Sequence, residues 1–284
     1  MSDVQPVAAG LFETATDQEA LDKAVAAVAP AAVERAELAM VNTLEPALRG
    51  PMYALLVSLA DNKYMLGRRY AEWCTGAPML ESAVAAAAMA QDELGHARSF
   101  YPLLRGFPNA RGGEVLQMED RGWQQRSTNA VACLDRSFLN WAEFLAANVL
   151  VDTAFTTLLS AALSSPYEPL RQRAAKIVQE EAGHWVHGAS WIRRAPAHLS
   201  SALAAVWDDA FTWFGQADDR VIAPLAGAGL LTENPDGLRG KLRARLEPLL
   251  DEAEVGEPLF TRQLPWDRWD DTTRRLGGPR LEAA

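Results

Sequence analysis

"QDELGH", residues 91–96, and "QEEAGH", residues 179–184, are two near-copies of one six-residue phrase. They hold two of the four histidines in the chain, each three residues after a glutamate. On a helix, positions three apart share a face, so Glu93 with His96, and Glu181 with His184, each turn a carboxylate and an imidazole toward one point. That is half a metal site per phrase. A single Glu-x-x-His arises easily from surface charge patterning, whereas two in the same local context do not, and the fold follows from asking which helices carry them.

Helix-forming residues dominate the 284-residue chain, breakers fall between long apolar-periodic segments, and runs of alternating β-branched residues are missing, which predicts an all-α protein without strands. Thr16 to Glu19 spells a capping box and predicts a minor helix through the alanine-rich stretch to residue 36. Four main helices follow: over 52–74 after the Gly50-Pro51 break, over 78–104 with Pro78 in its first turn, over 135–164, and over 167–194. The first two are joined by the tight "CTGAP" and the last two by "SSPYEP", so each pair packs antiparallel, and a long polar connection separates the pairs. Two antiparallel helix hairpins with a long crossover are the connectivity of a ferritin-like four-helix bundle, with one phrase on the second helix of each hairpin. Extra outer helices are expected near 203–214 and 238–250, and the closing stretch, with Pro258, Pro265, Gly277, Gly278 and Pro279, reads as an extended C-terminal arm. The chain thus divides into an N-terminal segment with its minor helix (1–50), the bundle (51–220), and an outer helix with the arm (221–284) in the same domain.

Composition narrows the setting. A hydrophobic content of 49% supports a sizeable core, and a net charge of −10 leaves no basic stripe for nucleic acid or an anionic membrane surface. The N-terminus carries acids where a secretion signal would carry lysine or arginine. Two cysteines, Cys74 and Cys133, argue against a disulfide framework and for a reducing, cytoplasmic setting. The apolar run over 144–163 has the length of a membrane span, but Asn148 and Asp152 stand near its middle, so a buried helix is the better reading. No Ser-His-Asp arrangement, P-loop or glycine-rich dinucleotide turn is visible.

A two-metal bundle site also needs one carboxylate from the first helix of each hairpin. Asp152, 29 residues before Glu181, supplies one from inside a run where an unpartnered acid is costly. The equivalent position before Glu93 is Lys63, in "ADNKYMLGRRYAEW". At about 100° per residue, Asp61 and Glu72 are turned roughly 200° and 180° away from that face. Three readings of Lys63 stay open: its ammonium stands in for a cation and pairs with Glu93 or Glu181; it snorkels outward while Asp61 reaches in; or it faces solvent and the register differs. His187 reads as a surface residue, Glu143 as a tie between the third helix and the crossover, and Tyr64, Tyr70, Trp141 and Trp185 as core.

"EWCTGAPMLESAVAAAAMAQDELGHARSFYPLL" resembles the ring-1,2-phenylacetyl-CoA epoxidase family, the ferritin-like subunits of the bacterial phenylacetate pathway. The resemblance covers 56–219. "QDELGHA", "NWAEFLAANVLVDTAFT", "SSPYEPLRQRAAKIVQEEAGHWVHG" and "WDDAFTWFGQADD" are similar to segments of the catalytic subunit, whereas "ADNKYMLGRRYAEWCTGAP" is similar to the non-catalytic structural subunit. The resemblance implies metal ligation by Glu93, His96, Asp152, Glu181 and His184, and a glutamate where Lys63 stands. It further implies a partner ferritin-like subunit, a separate reductase, a homo- or hetero-oligomer, and an aryl-acyl-CoA thioester or related small molecule as substrate.

Two functions follow. In the first, the chain is a di-iron oxygenase subunit that uses O2 to oxygenate an aromatic ring, with two irons held by the five ligands, or one or none because of Lys63, which is then the candidate catalytic residue. In the second, it is a structural subunit of such a complex, with Lys63 in place of a metal ligand. Retention of five ligands in register favours the first.

Overall fold

The computed structural model describes residues 39–107, 129–194 and 198–277. The expected minor helix up to residue 36, most of the crossover, and Gly278 and Pro279 lie outside these residues. The first bundle helix, α1 (Pro46–Ala71), begins ahead of the expected start and runs through Pro51. A proline disfavours helical backbone in the preceding residue partly through a clash with its Cβ; Gly50 has none, so the helix continues. Helix α2 (Leu80–Phe100) stops before the expected end because Pro102 has no N–H to continue the ladder, and the chain tightens into a 3-10 turn, Tyr101–Gly106.

The third bundle helix is built in pieces. It starts late, at α3 (Trp141–Ala146), where the Asn140 side chain accepts a hydrogen bond from Glu143 N at 3.0 Å; residues Ala132–Leu134 form a separate 3-10 turn. A π-helical segment, Ala147–Asp152, follows, and α4 (Thr153–Ala161) completes the rod. Over Trp141–Ala161 the chain is long and apolar enough to cross a membrane, yet 94% of that window is buried inside the protein. Helix α5 (Glu168–Arg194) runs as expected.

Cross-helix contacts fix the arrangement. Asp61 meets Tyr101 and Lys63 meets Glu93, so α1 and α2 are antiparallel; His96 with Glu180 and Asp92 with His184 make α2 and α5 antiparallel; Asp152 with His184 and Asn148 beside Gly188 do the same for the third helix and α5. The bundle is therefore a square of antiparallel neighbours. Two glycines let its helices close in. A Cβ on Gly67 would stand 3.0 Å from Glu93 Cβ, and one on Gly188 would stand 2.2 Å from Asn148 Oδ1 and 2.6 Å from Val149 Cγ2.

Helix α6 (Ser200–Thr212) packs against the π segment, the short α7 (Ile222–Gly227) against α1, and α8 (Pro235–Glu252) across α4 and α5. The arm is not wholly extended: after α9 (Glu257–Phe260), two short strands pair antiparallel, β1 (Trp269–Asp270) with β2 (Arg275–Leu276). This corrects the expectation of no strand. Asp270 accepts from Thr272 N at 2.8 Å and Arg274 sits at φ +54°, a tight turn that pattern reading over helical periods does not register. Arg274 then plunges inward, donating to buried Asp219 and, at 3.0 Å, to the Trp213 carbonyl.

Candidate functional site

Six charged side chains from four helices converge at the bundle centre. Lys63 comes from α1, Glu93 and His96 from α2, Asp152 from the end of the π segment, and Glu181 and His184 from α5; none is more than 4% exposed. Lys63 Nζ donates to Glu93 Oε1 at 3.0 Å, to Asp152 Oδ1 at 2.8 Å and, by a shorter contact, to Glu181 Oε1. Phe155 lies beneath the ammonium, its ring centroid 5.8 Å away.

Of the three readings of Lys63, the first holds: its ammonium pairs with the acids. The other two are corrected by its complete burial. Asp61 does not reach in; it accepts from Tyr101 Oη at 3.1 Å and from Asn129 N at 2.8 Å, while Asn62 Oδ1 accepts from Val131 N at 2.9 Å. The "DN" before Lys63 thus pins the returning end of the crossover to α1.

The imidazoles bridge inner and outer acids. His184 Nδ1 stands 3.0 Å from Asp152 Oδ2, 3.0 Å from Glu181 Oε2 and 3.4 Å from Glu93 Oε1, and its Nε2 is 3.3 Å from Asp92 Oδ2. His96 Nε2 is 2.8 Å from Glu180 Oε2, with Nδ1 at 3.5 Å from Glu181 and 3.8 Å from Glu93, too long for hydrogen bonds and within range of ionic attraction. The two phrases therefore interlock crosswise. The acid before Glu93 holds the histidine of the other phrase, and the acid before Glu181 returns the contact. Sequence reasoning missed Asp92 and Glu180, although the doubled acids in "QDE" and "QEE" were the available mark; such outer acids orient a histidine and fix its charge.

Electrostatics follow from these distances. Burial alone would lower the Lys63 pKa, but Asp152, Glu181 and Glu93 outweigh it and hold the ammonium well above its ordinary value. Burial raises Glu93, with Asp152 adding to it, while Glu181, which burial would also raise, is held well below the carboxylate range by Lys63 and both histidines. His184 is raised far above the imidazole range by its bonds to Asp152, Glu181 and Glu93, against burial. With all six groups ionised, three carboxylates face three cations, and the cluster is neutral without any added ion.

For His96, burial lowers the pKa and its contacts with Glu181 and Glu93 overcome that, lifting it to about 9. Since this lies above the unfolded value of about 6.5, the stability it contributes is complete below that pH and lost as pH rises toward 9. Denaturant titrations across that window should show stability falling with pH, and His96→Gln should make the slope shallower by up to about 1.4 kcal/mol per pH unit, one proton's share. An unchanged slope would mean His96 is neutral.

Tyr70 is core, as expected, and also polar in use: its hydroxyl lies 3.4 Å from Asp152 Oδ2 and accepts from Asn148 Nδ2 at 3.4 Å. Burial, with Asp152 and Glu93 close by, pushes its pKa well up, so the phenol keeps its proton. Tyr64, Trp141 and Trp185 are half-buried. Glu143 accepts from Arg136 at 2.7 Å and from Leu139 N at 3.0 Å, tying α3 to the residues that precede it. His187, expected on the surface, is instead half-buried edge-on against Trp141 and Phe144, with its pKa lowered by burial and by His184. Cys74 and Cys133 are free thiols.

Four of the residues predicted to ligate metal, Glu93, Asp152, Glu181 and His184, bring one ligand atom each to within 4.8 Å of one another; His96 stands beside them. The profile of a family described as phenylacetic acid catabolic protein matches residues 40–273, which include the whole cluster. Among curated proteins, one of the subunits of the 1,2-phenylacetyl-CoA epoxidase of Escherichia coli (strain K12) is 24% identical over 212 residues, covering 72% of this chain and 83% of that protein.

Proposed function

This chain belongs to the phenylacetic acid catabolic protein family, and on that footing we propose that it is a bundle subunit of a multicomponent oxygenase acting in the cytoplasm on an aromatic acyl-CoA thioester, with a partner ferritin-like subunit and a separate reductase. One observation carries the finer reading: a single buried ammonium, that of Lys63, lies within hydrogen-bonding distance of all three carboxylates. The chain supplies its own cation. In this form the cluster ties the four helices together, and the oxygen chemistry falls to the partner. Relatedness to an epoxidase subunit supports the thioester substrate and the multisubunit setting.

A metal would draw on the same three carboxylates, each of which already gives Lys63 one of its two oxygens. At 2.8 to 3.0 Å from Asp152 and Glu93, the ammonium leaves a dication between those acids facing a like charge at contact range, in a buried site where such repulsion exceeds that at a surface. The donor set therefore does not fit an iron pair while Lys63 is in place.

The second reading, di-iron oxygenase, is favoured by the donors themselves: five residues of ligating type in register, with Glu93 Oε2 and His96 Nδ1 buried and without hydrogen-bond partners. Under it Lys63 withdraws and iron supplies O2 activation. The two are separated by metal content per chain in protein expressed with iron supplied. We expect close to none in the native chain and about two irons in Lys63→Glu, which completes the six-residue set of di-iron bundles. About two irons in the native chain would overturn the first reading and install the second.

A further inference from the structure

We propose that Arg245 and Trp185 form a gate over the charge cluster, the point at which water and small ions reach it from solvent. A cavity of about 10 Å³ lies against the cluster, with Asp152, Glu181 and His184 on its buried side. That is room for about one water molecule. Thr156 stands in its wall, and exposed Arg245 of α8 and half-buried Trp185 of α5 complete the lining toward the surface.

The closure is light. The Arg245 guanidinium carbon lies 4.7 Å from the centroid of the Trp185 ring, a stacking contact, and no ion pair fixes Arg245 among the described residues. An arginine held by one face contact on an outer helix swings aside without unpacking the bundle. Its charge is matched to the site: Glu181 and Asp152 both act on it, opposing the lowering of its pKa by burial. In place, it sets a positive group between solvent and the two buried acids of the lining, Asp152 and Glu181, which turns away cations and blocks the water path. The geometry is one-sided. His184 lines the cavity and His96 does not, so the gate controls one imidazole and leaves the other to report on the rest of the bundle.

That asymmetry gives the test, which goes beyond the metal question and does not depend on its answer. Exchange of the imidazole Cε1 hydrogen for deuterium, followed by mass spectrometry on the full-length chain in heavy water, reads solvent access at each histidine. In Arg245→Ala, His184 should exchange at least about threefold faster while His96 keeps its native rate, as expected where a local opening and not global unfolding sets access. An unchanged rate at His184, or equal acceleration at both histidines, would overturn the gate.

Discussion

Lys63→Met lowers the stability of the fold by about 3–5 kcal/mol, the range for removing one partner of a buried ionic network, or roughly 10 °C in Tm. Methionine fills nearly the same volume, so the loss is electrostatic and not a cavity effect. Without the ammonium, Glu93, Asp152 and Glu181 face one another with only the imidazoles to balance them. The cluster then recovers neutrality by taking a proton, and Glu93, whose pKa burial and Asp152 already raise, is the acceptor. The deficit should accordingly be smaller at pH 5 than at pH 8, because the folded state of the variant binds a proton that the unfolded chain gives up first. Guanidinium melts at the two pH values check both parts. A loss below about 1 kcal/mol, the scale of exposed pairs, would mean that the pairing contributes no more than a surface bridge.

Arg274→Met has the second-largest expected effect, again about 3–5 kcal/mol, for the same physical reason at the far end of the chain. Its guanidinium is buried, donates to Asp219 and the Trp213 carbonyl, and holds the β1–β2 turn against the segment after α6. Asp219 keeps its bonds from Val221 N at 3.0 Å and Ile222 N at 2.6 Å, so the variant leaves a buried carboxylate only partly compensated. The double variant with Asp219→Asn should lose less than the two single losses added, as expected for residues in contact. If Arg274→Met melts within about 0.5 kcal/mol of the native chain, the range of an ordinary surface substitution, the ribbon is an appendage outside the cooperative unit.

The bundle was legible because its signals were long and periodic: four apolar rods, two tight turns and a doubled phrase give the four-helix layout from spacing alone. Boundaries were read less well where one residue altered a rule, as Gly50 did by removing the Cβ that adds to the clash at Pro51. The π segment was invisible for a different reason. Residues Ala147–Asp152 are all buried, so no alternation between wet and dry faces marks the change in pitch. At the site, the five predicted acids and histidines converge, since i, i+3 spacing on helices fixes direction. The inward course of Lys63 was one of three readings because helical phase alone does not say whether a flexible cation folds in or out. That is settled by charge: three buried acids leave only one favourable direction. Asp92 and Glu180 escaped notice because their partners lie across the bundle, at separations of 92 and 84 residues.

Lys63 and Asp152 occupy matching stations, each on the first helix of its hairpin opposite one of the repeated phrases, and they meet at 2.8 Å with opposite sign. The molecule thus has the makings of a two-fold arrangement that is broken at this single station. In the genetic code, lysine and glutamate codons differ only in their first base, an A against a G. A self-neutralised interior and a full set of six metal-type ligands are therefore adjacent genotypes on one unchanged scaffold. A lineage carrying this bundle stands one transition away from either set of side chains, with no need to rebuild the helices that present it.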